Sequence, residues 1–588
     1  MNPTRNDALI KRKFYQYLLP GIMMVLALQA GDIIDSIIVA QLMGAEAMSA
    51  VTLCLPLLSV LQLVPFLMAN GGTVWIANLL GQTETKKASK TRSVCLITGV
   101  AVSLFFAAIT PLVIDPLSVL LSGSDPQMFA YVRQYALVNM LGIPLLSLSI
   151  MMANYLNVDN HPNLGSALFI IANIFNLFFD YVLIKYAGLG MYGTALATVL
   201  GYFIGLVVLI PYLRDKNRML RLRRPSGHDF AVLKDVIKAG APLFFFMLMT
   251  SLRDVSINSG VVRLLGVDSM TVYAICINSV LLVELLIGGI YGLLPTICGI
   301  LYGEKDYFGI HALIRRVLKA SIALSLALIA FFLVFPNIIS TFFGLEEDAL
   351  IALGNTSLRI YCLGFVFYSL NKCFQTYYQT ILQPKLANIS TILQGFAFIV
   401  PLSFALMLPF SLYGVCLAAV ISELLSFVVV QILRIFWQRR GKLPQKGILM
   451  LPDSNPEDTF DFTVQGDVES AVGISQKIID FCLGHQIDPK KSNALGVAAE
   501  ELIANIGAYG KLTPKNNHID LSLILQDDKI IFRIRDDGIP FDPTGWQRTD
   551  PSDDPNVSGL ELVRLLCHDF TYTRVLNLNN TVIEMERA

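Results

Sequence analysis

From about residue 14 to residue 438, apolar runs of roughly 20 residues alternate with short polar loops, and a run of that length lets a helix cross a bilayer. The second half of the stretch repeats the first. Tyr192-Gly193-Thr194-Ala195-Leu196-Ala197-Thr198-Val199 returns as Tyr413-Gly414-Val415-Cys416-Leu417-Ala418-Ala419-Val420. Pro20, Gly81 and Pro162-Asn163-Leu164 return as Pro242, Gly303 and Pro384-Lys385-Leu386, an offset of about 222 residues. Twelve crossings are expected, beginning near Phe14, Ala47, Ser93, Tyr131, Gly165, Met191, Ala239, Thr271, Ile314, Thr356, Ala387 and Ser411. Six per repeat is even, so both halves insert the same way round, as two like bundles facing each other across a cavity. That arrangement suits alternating access by rocking. A channel would need a filter loop or a charged ring, and nothing in the sequence resembles either.

Positive charge orients the crossings. Arg5, Lys11, Arg12 and Lys13 precede the first, and Lys86, Lys87, Lys90 and Arg92 follow the second. The stretch 214–238 follows the sixth, Lys305, Arg315 and Arg316 the eighth, and Arg439, Arg440, Lys442 and Lys446 the twelfth. The alternate loops carry Glu46, Asp115, Asp125, Asp268 and Glu346-Glu347-Asp348 instead. Both termini are therefore expected in the cytoplasm, with a multi-pass chain in the plasma (inner) membrane. Lys11-Arg12-Lys13 lead into an apolar segment too long for a cleavable signal, and no small-residue cleavage site follows.

Over all 588 residues, 54% are hydrophobic and 15% charged, but the average hides a change of character. Beyond residue 438, charges, prolines and short alternating stretches read as a soluble domain. The net charge of zero hides this split and says nothing about nucleic acid, and no nucleic-acid partner is expected. Nine cysteines form no CxxC pair and mostly lie in apolar runs, so packing explains them better than metal or disulfides, and the six histidines make no ligand pattern. The expected domains are a six-helix lobe over 1–213, a cytoplasmic loop over 214–238 and a second lobe over 239–438. A linker over 439–459 and a cytoplasmic domain over 460–588 follow.

Charged groups inside the crossings carry the chemistry. Asn173, Asn176 and Asp180 follow i, i+3, i+7 and share one helix face. An ionised carboxylate there costs on the order of 2.5–3.5 kcal/mol on insertion scales, so it needs a wet cavity or a partner. Asp35 and Asp180 each stand about seven residues before the outer end of their crossing, and Thr198 about seven residues into the next. At 1.5 Å per residue all three lie roughly 10 Å below the outer boundary. Two acids, an amide and a hydroxyl at one level suit H⁺ or Na⁺ alike; a bland alternative is a protonated Asp180 held by Asn176. The second half does not copy the group: the offset places Ile257, Leu402 and Ala419 opposite Asp35, Asp180 and Thr198. It has Arg253, Asp254, Glu284 and Glu423 instead. Arg253 and Glu284 either pair as a structural bridge or leave Glu284 for a cationic substrate, and with Asn173 they are the substrate-cavity candidates.

The two parallel halves, the Asp35 segment Asp-Ile-Ile-Asp-Ser-Ile-Ile-Val-Ala, and Asn176-Leu-Phe-Phe-Asp180 with Thr198 resemble the multidrug and toxic compound extrusion (MATE) family over residues 10–438. The resemblance implies a cation site at Asp35, Asn176, Asp180 and Thr198. It also implies antiport of H⁺ or Na⁺ against an organic, often cationic or amphipathic, small molecule.

In the tail, Phe460, Phe462 and Val464 alternate as a strand, helices follow over about Val468–Leu483 and Pro489–Tyr509, and Ile519–Leu525 and Ile530–Arg535 read as strands. Glu501 and Asn505 share a helix face, and Asp536-Asp537-Gly538 ends the last strand. An acid beside a glycine after a strand can reach an adenine amino group. An Asn one turn after a Glu can hold Mg²⁺ on phosphates while the Glu orients a nucleophile. In this order, with Pro540-Phe541-Asp542-Pro543 and the late Tyr572, Arg574 and Asn580, these residues resemble GHKL (Bergerat-fold) ATPases of the anti-sigma-factor serine-kinase type. The resemblance implies Mg-ATP binding, with Glu501 as catalytic base, Asn505 as Mg²⁺ ligand, and Asp536, Gly538 and Gly559 around the nucleotide. The second glycine box departs from the family by keeping only Gly559.

The fold expected is thus an all-α polytopic membrane protein, twelve transmembrane helices in two parallel six-helix repeats, plus a C-terminal α+β sandwich. The leading function is a cation-coupled exporter whose ATP-binding domain regulates it, since the tail lacks the P-loop of ATP-driven pumps. The alternatives are a membrane-anchored serine/threonine kinase acting on an anti-sigma-antagonist-like protein, and a flippase for membrane lipids or precursors.

Overall fold

The computed structural model describes residues 5–122, 125–215, 218–342, 347–443, 447–451, 458–511, 518–544, 563–564, 567 and 569–587, without the side chains of 29–37, 45, 281–282, 342 and 468. It divides into two compact units. One holds Tyr15–Glu304 and Ile314–Leu443; the other holds Met1–Phe14, Lys305–Leu313 and Pro444–Ala588.

The first unit is helical. Its first half contains α1 (Ala8–Met43, which starts in the other unit), α2 (Ala45–Gly81), α3 (Thr85–Ser122), α4 (Pro126–Val158), α5 (Pro162–Asp180), α6 (Gly190–Val207) and the short α7 (Ile210–Arg214). Its second half contains α8 (Leu233–Leu265), α9 (Val267–Tyr291), α10 (Leu294–Gly303), α11 (Tyr307–Val334, which starts in the other unit), α12 (Pro336–Phe342), α13 (Asp348–Cys362), α14 (Phe365–Thr380), α15 (Pro384–Ile392) and α16 (Ile399–Arg439).

Eight helical stretches among the described residues are long and apolar enough to cross a membrane, nine when the bent pair α13–α14 counts as one. The stretch Pro384–Arg439 covers two of the expected crossings, because the chain turns sharply at Ser411 (φ 54°, ψ −137°). A Cβ at Gly414 would lie 2.0 Å from the carbonyl oxygen of Leu406, a separation that eight residues of continuous helix could not give. Helices α1 and α8 have the length as well.

Helix α3 shows how these helices pack. It exposes Leu104, Phe105, Leu112 and Leu120 and buries Ser103, Thr110 and Ser118. Apolar outside and small polar inside is the pattern of a helix in lipid, where small residues allow close approach. Ser103 hydrogen-bonds Ser147 across α3 and α4 at 2.6 Å, and Ser325 hydrogen-bonds Ser369 across α11 and α14 at 3.0 Å. Both serines of the second pair lie 222 residues after those of the first, so the internal repeat extends to individual contacts.

The two halves meet through α2, which packs against α8 and α10. Gly81 and its repeat mate Gly303 touch: a Cβ on Gly81 would lie 2.1 Å from Ile300 O, and one on Gly303 2.2 Å from Asn78 O. Gly71 and Gly240 make a similar approach. Nearby, Asn78 Nδ2 donates to Thr380 O at 3.3 Å, and Gln379 donates to Asn70.

The second unit contains a five-stranded antiparallel sheet in the order β1-β2-β3-β5-β4, with β1 Thr459–Val464, β2 Ile519–Leu525, β3 Lys529–Asp536, β4 Asp569–Val575 and β5 Leu578–Glu586. Strand alternation divides its faces. Leu521, Leu523, Phe532 and Ile534 join one core with Ile478, Leu495 and Leu502 of α17 (Val468–Gly484) and α18 (Pro489–Tyr509). On β1, β2 and β3 the alternate positions are polar: Asp461, Asp520, Ser522, Arg533 and Arg535.

That polar face is buried, because Arg5 and Asp306 belong to the same unit. Arg5 makes a two-pronged bond to Asp306 at 2.8 and 2.9 Å and reaches Asp520 at 3.2 Å, and Arg535 also pairs with Asp306. Burial works against the charge on Asp306. The two guanidiniums outweigh it and hold the carboxyl far below its usual range.

Candidate functional site

In the first lobe, α5 brings its polar residues onto one side of the helix. Asn176 Nδ2 donates to Thr198 Oγ1 on α6 at 3.1 Å, and Thr198 donates in turn to Thr194 O at 3.2 Å. Asp180 follows one turn after Asn176 and has none of its surface exposed. The helix then changes to a π-helical turn over Tyr181–Tyr186, a distortion common at functional sites. Asn173 donates to the carbonyl of Ala27 on α1, the helix that bears Asp35. The side chain of Asp35 lies outside the described residues.

A cavity of about 90 Å³ opens beside this group, with Asn173, Asn176 and Thr198 in its wall. Gln62, Tyr135, Asn139 and Tyr202 line it too, and the sequence reading missed them. An amide inside an apolar helical run, as at Gln62 and Asn139, was the available signal. Asp180 is not among the lining residues. It is buried at the end of α5, one turn beyond Asn176.

In the second lobe, Arg253 does not pair with Glu284. Its Nε donates to its neighbour Asp254 at 2.8 Å, while Glu284 accepts the hydroxyls of Tyr291 and Tyr368. Glu423 on α16 accepts from Asn371 at 2.7 Å and from Gln394 at 3.0 Å. Gln394 lies in a second π-helical turn, Leu393–Ala397. Lys372 completes the cluster, and the sequence reading overlooked it within Asn371-Lys372-Cys373-Phe374-Gln375.

In the sheet-bearing unit, α18 presents Glu501 and Asn505 and β3 ends at Asp536. The side chain of Asn505 is buried, and its Nδ2 donates to Glu501 O at 2.7 Å, which leaves the amide oxygen as its outward acceptor. Burial, and then the neighbouring Glu500, raise the Glu501 pKa. Asp536 is 3% exposed, and its Oδ1 takes the Gly538 N–H at 2.8 Å and Asn579 Nδ2 at 2.9 Å. Oδ2 takes no hydrogen bond from the described residues. Burial pushes the Asp536 pKa up to about 6, against the pull of those two donors.

Gly538 has no room for a side chain: a Cβ would lie 2.7 Å from Gly510 O, at the end of α18. Tyr572 and Arg574 both bond Asn579 Oδ1, at 2.8 and 2.6 Å, so the residue that joins this network to Asp536 is Asn579 rather than its neighbour Asn580. Asp537 pairs with Arg12. Gly559 lies outside the described residues.

The MatE family model matches residues 20–182 and 242–406, and the model of the histidine kinase-like ATPase domain matches 465–586. Among known proteins, the multidrug export protein MepA of Staphylococcus aureus is 23% identical over 400 residues, covering 66% of this chain and 86% of that protein. MepA of Staphylococcus haemolyticus is 24% identical over 383 residues, covering 65% and 83%. A MOP superfamily transporter from Pyrococcus furiosus superposes with a TM-score of 0.67 at 19% identity, over 76% of this chain and all of that one. An outward-facing multidrug resistance MATE transporter gives 0.68 at 19%, with the same coverage.

Proposed function

This chain belongs to the MatE family of transporters, and from that premise we propose that it is an H⁺- or Na⁺-coupled exporter of organic, cationic or amphipathic small molecules. Its histidine kinase-like ATPase domain regulates or signals. The observation that carries the reading is the Asn176–Thr198 bond at the wall of the first-lobe cavity, with Asp180 buried one turn behind it. A buried carboxylate beside an amide and a hydroxyl takes up a proton or a small cation and changes the charge of the lobe as it does. Asp35 supplies the second carboxylate from α1. Both termini and the 214–238 loop face the cytoplasm, and the domain limits are those read from the sequence. The contacts of α2 with α8 and α10 then close the cytoplasmic end.

The test is gradient-driven export from proteoliposomes without ATP. Asp35→Asn and Asp180→Asn should each abolish it, a fall of at least a hundredfold, with insertion unchanged. Full transport in both variants overturns the coupling site, and replacing Na⁺ by a pH gradient identifies the ion.

A second reading is favoured by the Oδ2 of Asp536, which takes no hydrogen bond among the described residues, and by the buried Asn505 amide: the domain binds Mg-ATP and phosphorylates a serine on a partner protein of the anti-sigma-antagonist kind. These residues fit the nucleotide. Asp536 would accept the adenine amino group, Gly538 would let the backbone turn beneath the ring, and the Asn505 oxygen would hold the Mg²⁺. Bound Mg²⁺ neutralises charge on the phosphates. Glu501 takes the proton of the serine hydroxyl as its oxygen attacks the γ-phosphorus and ADP leaves. Phosphate transfer to such a protein that Glu501→Gln abolishes supports this reading; a chain that binds nucleotide without transfer returns the domain to regulation.

A further inference from the structure

Lys372 on α14 is 4% exposed, yet among the described residues its ammonium meets no hydrogen-bond acceptor and no carboxylate within 4.0 Å. It meets rings instead. Nζ lies 3.3 Å from the ring centroid of Phe246 on α8 and 5.5 Å from that of Tyr368, one turn back on α14. The charged groups that face it are Glu284 from α9, Glu423 from α16 and Arg253 from α8. Both carboxylates are occupied by neutral donors: two tyrosine hydroxyls on Glu284, and the Asn371 and Gln394 amides on Glu423.

A desolvated ammonium without a counter-ion is costly in a membrane interior. Aromatic faces recover part of that cost, and they do so for any cation of similar size. Two rings, with two carboxylates acting on the same ammonium, match the recognition chemistry of amines and quaternary ammoniums. Here the pair is filled by the chain's own side chain.

We propose that the Phe246–Tyr368 ring pair is the second-lobe subsite for the cationic head of an exported compound, and that Lys372 is its tethered competitor. With no substrate, the Lys372 ammonium rests on the rings. When an organic cation arrives, the flexible four-carbon stem swings the ammonium away towards Glu284 or Glu423 and the substrate takes the rings. The inference rests on the organic-cation reading above and adds to it the place where such a cation is bound.

The probe is tetraphenylphosphonium, whose charge does not depend on pH, titrated into the purified full-length chain. Lys372→Met removes the competitor and should tighten binding roughly tenfold, about 1.4 kcal/mol. Lys372→Arg, which keeps a cation able to stack on the rings, should bind like the parent chain. Phe246→Leu should weaken binding in the parent and erase the gain in the Lys372→Met background, so the Phe246 variant still tests the site if Lys372→Met does not fold.

If Lys372→Met binds the probe no more tightly while the parent chain binds and exports it, this inference fails and the exporter reading stands. If deoxycholate, an amphipathic carboxylate, binds the parent and is lost in Lys372→Met, Lys372 is an anion ligand and the proposal is overturned. If none of the variants binds the cation, the proposal falls together with the organic-cation reading.

Discussion

Asp536 sits where β3 ends, buried, with Asn579 and the Gly538 N–H on one oxygen. Its pKa of about 6 lies above the ordinary 3.8, so the folded chain holds this proton more tightly than the unfolded one. The stabilising contribution is present below pH 4 or so and is lost as the pH rises through about 6. Ligand binding runs the other way. An adenine amino group donates, and only the ionised carboxylate offers two acceptor oxygens. ATP affinity should therefore fall as the pH drops through about 6, approaching tenfold per unit below it, and Asp536→Asn should weaken binding and flatten the profile. Titrating the chain with a fluorescent ATP analogue between about pH 5 and 8 checks this. A flat profile in the parent chain would place adenine elsewhere. Asn579 belongs to the same argument: Asn579→Ala removes a donor that favours the charged form, so the midpoint should move upward.

Helix α2 is the element through which the two halves pack, and glycine makes that close approach possible. At Gly81 a Cβ would meet backbone atoms, Ile300 O and Gly303 Cα, that have no rotamer to give. Gly81→Leu should therefore drive apart the ends of α2 and α10 and disfavour the closed state. Spin labels near those ends should report a separation longer by several ångströms, and transport should slow tenfold or more, about 1.4 kcal/mol against closure. Unchanged distances with normal transport would refute it. The approach was half legible: the matching of Gly81 with Gly303 at one offset could be read, but contact between the mates could not, because the repeat says nothing about where its symmetry axis runs. That the apolar runs form long helices was legible because bilayer thickness fixes their length, although α3 begins at Thr85 and α13 at Asp348, ahead of the expected Ser93 and Thr356; the β2 and β3 ends were legible because alternation fixes their faces. The π-helical turns after Asp180 and at Gln394 were not, since an extra backbone residue per turn leaves no compositional trace. Strands β4 and β5 escaped because Asn577, Asn579 and Asn580 break the apolar alternation, and of these Asn579 serves the Asp536 network instead. Lys372 escaped because polar residues at helical spacing look alike whether they face lipid headgroups, water or rings.

At the scale of the molecule, the unit that carries the ATPase-like sheet is assembled from three separated parts of the chain: the N-terminal segment, Lys305–Leu313 and the tail. An ion-pair network holds them. Arg5 and Arg535 share the Asp306 carboxylate, Arg5 also reaches Asp520, and its guanidinium lies 5.0 Å from the Phe308 ring centroid. Buried pairs of this kind stabilise less than their Coulomb energy suggests, because desolvation offsets it, but removing one partner leaves uncompensated charge. Asp306→Asn keeps the shape and removes the negative charge from between two guanidiniums. It should cost on the order of 3–5 kcal/mol. Since the Asp306 pKa is depressed, the interaction is complete at neutral pH and is lost only in strong acid, so the comparison can be made near pH 7. The chain holds two units, so a single melting midpoint is not the right readout. Limited proteolysis followed over temperature is, with release of a fragment close to residues 440–588 expected some degrees earlier in the variant. Arg5→Gln should act through the same network, and the double variant Arg5→Gln with Asp306→Asn should lose clearly less than the sum of the two singles. Strict additivity would mean that the N-terminal segment and the Lys305–Leu313 segment are held to the sheet independently, and Arg5 would then be no link between them.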